Sequence, residues 1–170
     1  GRAVAVLGLW DRSAFLQIAS DLGLYVSTML PIVGATGRSR HEIGTRLKGA
    51  SVNPSDFPRP VLIPVNGVEL EVFEAGRHNA GKPIVLCHGW PEHAYSWRYQ
   101  VPALVEAGYH VIVPNQRGYG NSSRPTEVTD YDIEHLAGDL IALLDHYGYD
   151  DATFVGHDWG AFVVWGLTLL

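Results

Sequence analysis

The sequence predicts an α/β fold in which an antiparallel hairpin precedes a mostly parallel β-sheet. The run at residues 83–87 is apolar throughout, as is typical of a strand buried on both faces, and residues 110–114 and 152–156 are predicted to form two further strands. Helical segments and short loops separate them, a pattern that favours parallel pairing through right-handed crossovers. Such sheets bind ligands beyond the carboxyl ends of their strands. We therefore expect a functional site at that end of the sheet.

The hairpin is predicted from a turn signal between two apolar runs. Residues 61–65 and 68–74 flank Asn66-Gly67, and this dipeptide suits the tight turn that joins two antiparallel strands. Pro64 lies in the first run and has no N–H to give to a neighbouring strand. The first strand of the hairpin is therefore expected at an edge of the sheet.

A long helix is predicted over residues 133–147. Its apolar side chains recur at intervals of three and four residues. They are Ile133, Leu136, Ala137, Leu140, Ile141, Leu144 and Tyr147. Thr129 with Asp132 is interpreted as a capping box at the start of this helix, and Gly148 as its C-terminal cap.

A second helix is predicted over residues 96–107. Pro102 either opens its main part or kinks it, and Gly108 ends it. All of these elements lie in residues 56–170, which we expect to form one α/β core. Residues 1–55 are expected to form an N-terminal extension whose structure the sequence does not define.

The extension contains two apolar stretches, neither of which predicts a membrane span. Residues 3–10 are apolar, and residues 22–37 carry no charge but include glycine and proline. A span needs about 20 predominantly apolar residues. We therefore expect a cytoplasmic protein that does not associate with membranes. The apolar segments leave a signal peptide or membrane association open as alternatives. Residues 31–37 resemble part of a dinucleotide-binding turn, but Arg40 stands where its third glycine would fall, so a plain turn is favoured.

Composition excludes several classes of partner and cofactor. The 170 residues carry a net charge of −6, and the acidic excess lies in the part after residue 50, which argues against nucleic acid as a partner. The eight histidines show no metal-binding spacing, so no metal site is predicted. The single cysteine, Cys87, excludes an internal disulfide and is expected to be a small buried side chain. No cofactor is expected.

One stretch, Gly156-His157-Asp158-Trp159-Gly160, predicts a sharp turn from a strand into a helix with a reactive side chain at its crest. A carboxyl group with an ordinary pKa of about 3.9 is ionised at neutral pH. It can attack carbon directly and form an ester. The alternative is that Asp158 only caps the helix that follows it. His157 is expected to be a packed or supporting histidine.

Three segments together carry a resemblance to a known family. They are His88-Gly89-Trp90-Pro91-Glu92, Arg117-Gly118-Tyr119-Gly120-Asn121-Ser122 and the Asp158 turn. Over residues 56–170 the chain resembles the α/β-hydrolase family, and within it the epoxide hydrolases. The resemblance implies a partial α/β-hydrolase sandwich whose lid and later strands are missing.

The resemblance also implies a role for each matching residue. Asp158 would attack an epoxide carbon, and water would later cleave the ester to a diol. The backbone N–H groups of Trp90 and Trp159 would form an oxyanion hole, and their side chains would line the substrate pocket. The supporting loop would comprise His88, Gly89 and Pro91. The Trp90–Pro91 bond would be cis, and His88 would brace the loop by hydrogen bonds.

Departures from the family pattern lead to further expectations. Asn115 stands where family members often carry Asp, and we expect it to loosen the Arg117 loop. The family's base histidine, its acidic partner and the lid tyrosines would follow the nucleophile helix. Without them the chain alone is expected to be inactive, and the sheet is expected to expose a parallel edge.

Two other functions stay open. A haloalkane-type dehalogenase uses the same aspartate and following tryptophan, but it usually carries a halide-binding Asn where Trp90 stands. The other possibility is a non-catalytic, vestigial α/β-hydrolase domain. For either hydrolase the expected partner is a small-molecule epoxide or a related electrophile, and the sequence does not define the oligomeric state.

Overall fold

A six-stranded mixed sheet organises the chain in the computed structural model, which describes residues 4–9 (backbone), 57–79 and 81–169. The strands are β1 (Val4–Leu9), β2 (Pro60–Val65), β3 (Val68–Ala75), β4 (Pro83–Cys87), β5 (His110–Pro114) and β6 (Ala152–His157). Their order in the sheet is β1-β6-β4-β5-β3-β2. The first four strands in this order pair in parallel, whereas β3 pairs antiparallel with both β5 and β2. The predicted α/β fold is confirmed.

The predicted hairpin is present, and its turn explains the choice of residues. Asn66 and Gly67 both have positive φ values, 45° and 77°, as the tight hairpin turn requires. Pro64 lies on β2, which is the last strand of the sheet on that side. The expected edge position is confirmed.

In the described part of the chain three α-helices cover the sheet: α1 (Gln100–Glu106), α2 (Ile133–Tyr147) and α3 (Trp159–Gly166). Successive side chains of a strand point to opposite faces, so the sheet divides the core in two. Phe154 on β6 is buried with side chains of α2 and α3, while Val155 is buried on the other face with side chains of α1.

The helix predicted over residues 96–107 is divided in the structure. A short 3-10 helix, Ala94–Trp97, comes first, and α1 begins at Gln100. Pro102 lies in the first turn of α1, where an N–H has no partner within the helix, so a proline is tolerated there. Pro102 therefore lies near the opening of the helix and does not kink it.

The long helix ends as predicted but begins differently. Gly148 is its C-terminal cap, with a left-handed φ of 74°. At the other end, the carboxylate of Asp132 accepts the N–H of His135 at 2.9 Å, so Asp132 is the N-cap. Thr129 belongs to a preceding 3-10 helix, Val128–Tyr131. The proposed capping box was wrong because the nearer carboxylate takes the capping position.

The strand β1 changes the expected edge of the sheet. It pairs in parallel with β6, from Val4 opposite Ala152 to Leu9 opposite His157. Among the described strands the sheet therefore ends on this side at β1 and not at β6, and because β1 pairs in parallel, the edge strand is a parallel one as expected. The rest of the predicted extension, residues 1–3 and 10–55, lies outside the described residues, and the division into 1–55 and 56–170 stays a prediction.

The described helices are too short to be membrane spans: none of them has both the length and the apolar character that crossing a bilayer requires. The cytoplasmic location expected from the sequence stays a prediction.

Candidate active site

Asp158 lies at the crest of the turn between β6 and α3, in a backbone conformation unusual for a side chain. Its φ of 52° and ψ of −120° lie outside the ordinary regions for residues other than glycine. The flanking glycines permit this geometry. A Cβ on Gly156 would collide with the backbone of Gly160, and one on Gly160 would collide with the carbonyl oxygen of Cys87. The turn thus requires both glycines of the motif.

The side chain of Asp158 is not used to cap the helix. It occupies the N-cap position of α3 but makes no capping hydrogen bond. Its Oδ1 atom accepts the backbone N–H of Trp90 at 2.9 Å. The alternative that Asp158 serves only as a helix cap is therefore contradicted by the structure.

Backbone donors keep this carboxyl group ionised. The N–H of Trp90, and then that of Trp159, hold the pKa of Asp158 below its ordinary value, and the charge of His157 lowers it further. The slight burial of the carboxyl opposes these effects and is outweighed. At neutral pH Asp158 is a carboxylate that faces two amide donors.

The loop after β4 reaches Asp158 because residue 89 is glycine. A Cβ built on Gly89 would lie 2.7 Å from the Cβ of Asp158 and 2.9 Å from its Oδ1. The Trp90–Pro91 peptide bond is cis. The turn closes with a hydrogen bond from the N–H of Glu92 to the carbonyl oxygen of Gly89, at 3.1 Å.

His88 anchors the start of this loop. Its ring is fully buried, and burial lowers its pKa, so the imidazole is neutral at pH 7. Its Nε2 accepts the backbone N–H of Gln116 at 3.1 Å, so its Nδ1 carries the proton and donates to the carbonyl of Gly89 at 2.9 Å. The side-chain amide of Gln116 donates to the carbonyl of His88 at 2.7 Å. These are the bracing hydrogen bonds expected of His88.

Of the two expectations for His157, a packed or a supporting side chain, the structure excludes the first. It is the last residue of β6, and its side chain is 49% exposed, so it is not packed in the core. Its Nδ1 lies 3.4 Å from the carboxylate of Glu92. Because side chains alternate along a strand, a residue at the end of β6 can face the loop that follows β4 without entering the core. We call this loop, residues 88–94, the oxyanion loop, after the role expected of it.

Asn115 does not loosen the loop that follows β5. Its Oδ1 accepts the N–H of Ala94 at 2.7 Å, and its side chain is buried. Farther along, Arg117 forms two hydrogen bonds of 2.7 and 2.6 Å with the carboxylate of Asp139 on α2, and both side chains are buried. The expected loosening was wrong, because the Asn115 amide bonds the Ala94 N–H and the Arg117–Asp139 ion pair holds the loop to α2.

The two tryptophans of the site leave their side chains at the surface. Trp90 is 69% exposed and Trp159 is 51% exposed, and the Trp159 ring stacks on Phe162 with centroids 5.1 Å apart. They form an aromatic surface beside Asp158. Cys87 is buried as expected, and burial raises its pKa to about 12. Within the described ranges, His, Cys, Asp and Glu side chains form no group of three that could hold a metal.

A family model for the α/β hydrolase fold matches residues 82–170. The chain belongs to the α/β-hydrolase family. It is 57% identical over 114 residues to epoxide hydrolase A of Mycobacterium tuberculosis, a match covering 66% of this chain and 35% of that protein. It is 34% identical over 168 residues to bifunctional epoxide hydrolase 2 of Mus musculus, covering 96% of this chain and 30% of the relative.

Solved structures support the same family. The crystal structure of epoxide hydrolase A from Mycobacterium thermoresistibile has a TM-score of 0.61 and 55% identity, covering 64% of this chain and 34% of that one. Epoxide hydrolase VrEH1 from Vigna radiata has a TM-score of 0.61 at 40% identity, covering 65% of this chain and 34% of that one. The resemblance to epoxide hydrolases is confirmed. The chain spans about a third of the length of the first two curated relatives above.

In this α/β hydrolase the predicted site residues converge at the carboxyl ends of β4 and β6. Asp158, Trp90 and Trp159 meet in one cluster of a carboxylate and two amide donors. Neither Gln116 nor the anchoring role of Asn115 is predicted from the sequence. Their position directly after β5, which is the neighbour of β4 in the sheet, is the signal that could have identified them.

Proposed function

We propose that this chain carries the nucleophile of an epoxide hydrolase and that Asp158 forms an alkyl ester with an epoxide. The observation that carries the proposal is the hydrogen bond from the Trp90 N–H to Oδ1 of Asp158, in place of a helix cap. A carboxylate so oriented presents its other oxygen, Oδ2, for attack. The names of the relatives supply the substrate class.

In the first step Oδ2 attacks an epoxide carbon. A C–O bond forms to Asp158, the carbon–oxygen bond of the ring breaks, and the ring oxygen takes up a proton from solvent water to become a hydroxyl group. The product is an ester in which Oδ1 is the carbonyl oxygen. The Trp90 N–H already points at that oxygen.

In the second step water adds to the ester carbonyl and releases a diol. Negative charge develops on the carbonyl oxygen, where the N–H groups of Trp90 and Trp159 stabilise it. Removing one such donor typically costs about 2.7–4 kcal/mol. The aromatic surface of Trp159 and Phe162 would contact the apolar part of the substrate.

For the 170-residue chain alone we expect the ester to persist. The two histidines nearest in sequence to the site residues are both engaged: His157 faces Glu92, and the buried His88 bonds Gly89 and Gln116. The buried His88 is therefore not free to act as the base that activates water, and the Nδ1 atom of His157 is directed at Glu92 and not at Asp158. General-base assistance is worth about 10²–10⁴-fold in rate.

The proposal is tested by exposing the purified chain to an aryl epoxide and weighing the intact protein. We expect a mass increase equal to one epoxide in the wild type and in Asp150→Asn, a matched change of an exposed carboxylate. Asp158→Asn should show none, because an amide is a poor nucleophile. An equal adduct in Asp158→Asn would contradict the proposal.

The same assay separates the alternatives. Incubation with a chloroalkane that releases chloride, without any adduct from the epoxide, would favour the dehalogenase. No adduct with either compound would favour a non-catalytic domain.

A further inference from the structure

A buried carboxylate, Glu71, lies on β3 and takes no part in the proposed chemistry. Its residue is only 6% exposed. Burial raises its pKa, but hydrogen bonds from Asn121 and from the side chain of Asn115 outweigh this and leave the pKa below its ordinary value. A charged group in this position needs every one of its donors, because an unpaired buried charge is costly.

The donors fix the orientation of one amide. Asn115 Nδ2 donates to Oε2 of Glu71 at 2.6 Å. Asn121 donates its backbone N–H to Oε2 at 2.9 Å and its Nδ2 to Oε1 at 2.6 Å. Because Glu71 can only accept, the nitrogen of the Asn115 amide must face it and the oxygen must point away.

The oxygen of that amide reaches the far end of the oxyanion loop. Asn115 Oδ1 accepts the N–H of Ala94 at 2.7 Å, and Ala94 is fully buried at the start of the 3-10 helix. Ala94 is the fourth residue after Trp90. The adjacent residue, Gln116, holds the other end of the loop through His88.

Gly120 packs closely against the Glu71 and Asn115 side chains. A Cβ on Gly120 would collide with both the Asn115 amide and the Glu71 carboxylate. The backbone joins the two residues again, since the N–H of Asn115 donates to the carbonyl oxygen of Glu71 at 2.8 Å. The amide thus has little freedom to turn over.

We propose that Glu71 and Asn115 are positioning residues, and that Glu71 orients the Asn115 amide so that it holds the oxyanion loop with the Trp90 N–H on Asp158. The inference rests on the proposed function only for the role of the loop, which is to place the Trp90 N–H as an oxyanion donor. Glu71 acts through Asn115 and touches neither Asp158 nor Trp90 in this arrangement. A residue on the antiparallel hairpin thereby controls a donor at the carboxyl end of the parallel strands.

The test reverses the direction of the hydrogen bond between residues 71 and 115. Asn115→Asp keeps an acceptor for Ala94 but places a second carboxylate 2.6 Å from Glu71. Adding Glu71→Gln supplies a donor again, now from residue 71, and should recover most of the loss. Recovery is incomplete because the Asn121 N–H loses its acceptor. Glu69→Gln, an exposed change of the same kind on the same strand, is the control.

The readout is amide hydrogen exchange at Trp90 and Trp159 followed by NMR. In Asn115→Asp we expect exchange at Trp90 to rise about tenfold, the effect of losing one hydrogen bond, while exchange at Trp159, which α3 positions, stays unchanged. A general loss of stability would raise both. The double variant should return Trp90 to within a few-fold of wild type, and Glu69→Gln should alter neither amide.

Three results would overturn the proposal. They are an unchanged exchange rate at Trp90 in Asn115→Asp, an equal acceleration of exchange at Trp90 and Trp159, and no recovery of the Trp90 rate in the double variant. If Asn115→Asp fails to fold, Glu71→Gln alone gives the same comparison, because it removes the charge and one acceptor, and a selective rise at Trp90 is again expected. The exchange measurement needs no substrate. Failure of Asp158 to take up an epoxide would therefore refute the proposed function without affecting this result.

Discussion

Gly89→Ala should disable the oxyanion loop through a contact that can be measured in the structure. The added methyl group would lie 2.7 Å from Cβ of Asp158, 2.9 Å from its Oδ1 and 3.0 Å from the carbonyl oxygen of His157. Ordinary contacts of a Cβ fall at 3.4–4 Å. The loop and Asp158 must therefore separate by at least about 0.7 Å at the closest of these contacts.

That displacement is enough to break the hydrogen bond from the Trp90 N–H. The bond is 2.9 Å long, and lengthening it by about 0.7 Å takes it beyond the range of a hydrogen bond. The pKa of Asp158 should rise towards its ordinary value, because the Trp90 N–H is the main cause of its depression. Cleavage of an ester on Asp158 should slow by about 10²–10³-fold, the usual effect of losing one oxyanion donor.

Cleavage is best measured with hydroxylamine, which brings its own nucleophile and so does not depend on a base in the protein. The ester is formed with an aryl epoxide, the excess is removed, and loss of the adduct is followed by intact mass. Gly108→Ala is the control: its φ of 92° disfavours a side chain, but the space around it is open, so it should cost stability without slowing cleavage. Equal cleavage rates in Gly89→Ala and the wild type would refute the reasoning.

Three further predictions concern the nucleophile and its support. Asp158→Gly should be more stable than Asp158→Ala by about 1–3 kcal/mol in urea unfolding, because only glycine relieves the positive φ, and equal stabilities would contradict the strain. Arg117→Met should lower the free energy of unfolding by about 3–5 kcal/mol, because it leaves the buried Asp139 charge unpaired. Adding Asp139→Leu should recover much of this loss in the same assay. If stability does not recover, the unpaired charge is not the cause. Alkylation of Asp158 by an alkyl halide, whose leaving group needs no proton, should proceed at a constant rate between about pH 5 and 8, because a depressed pKa keeps the carboxylate ionised there and its reactivity falls only as the pH drops through that pKa. A rate that climbs across this range would indicate a raised pKa.

Local chemistry made the hairpin and the turn at Asp158 predictable. The Asn66-Gly67 turn and the glycines on either side of Asp158 are demanded by the backbone at those positions, so the sequence itself carries the signal. The strands β4, β5 and β6 were equally clear, because strands covered on both faces are largely apolar.

The missed features depend on which segments become neighbours in space. Asn115 bonds Ala94 across 21 positions, a contact that exists only because β5 lies beside β4. The pairing of β1 with β6 joins residues almost 150 positions apart, and an apolar run does not specify its partner. The error at Thr129 had a different cause: two candidate caps stood three residues apart, and local sequence did not decide between them.

The central claim is that the carboxylate held at the strand-to-helix turn is the nucleophile. It is tested most directly by digesting the epoxide-treated chain and locating the added mass by peptide fragmentation. The account predicts that the modified residue is Asp158. Modification at Glu92, His157 or another side chain, with Asp158 intact, would contradict it.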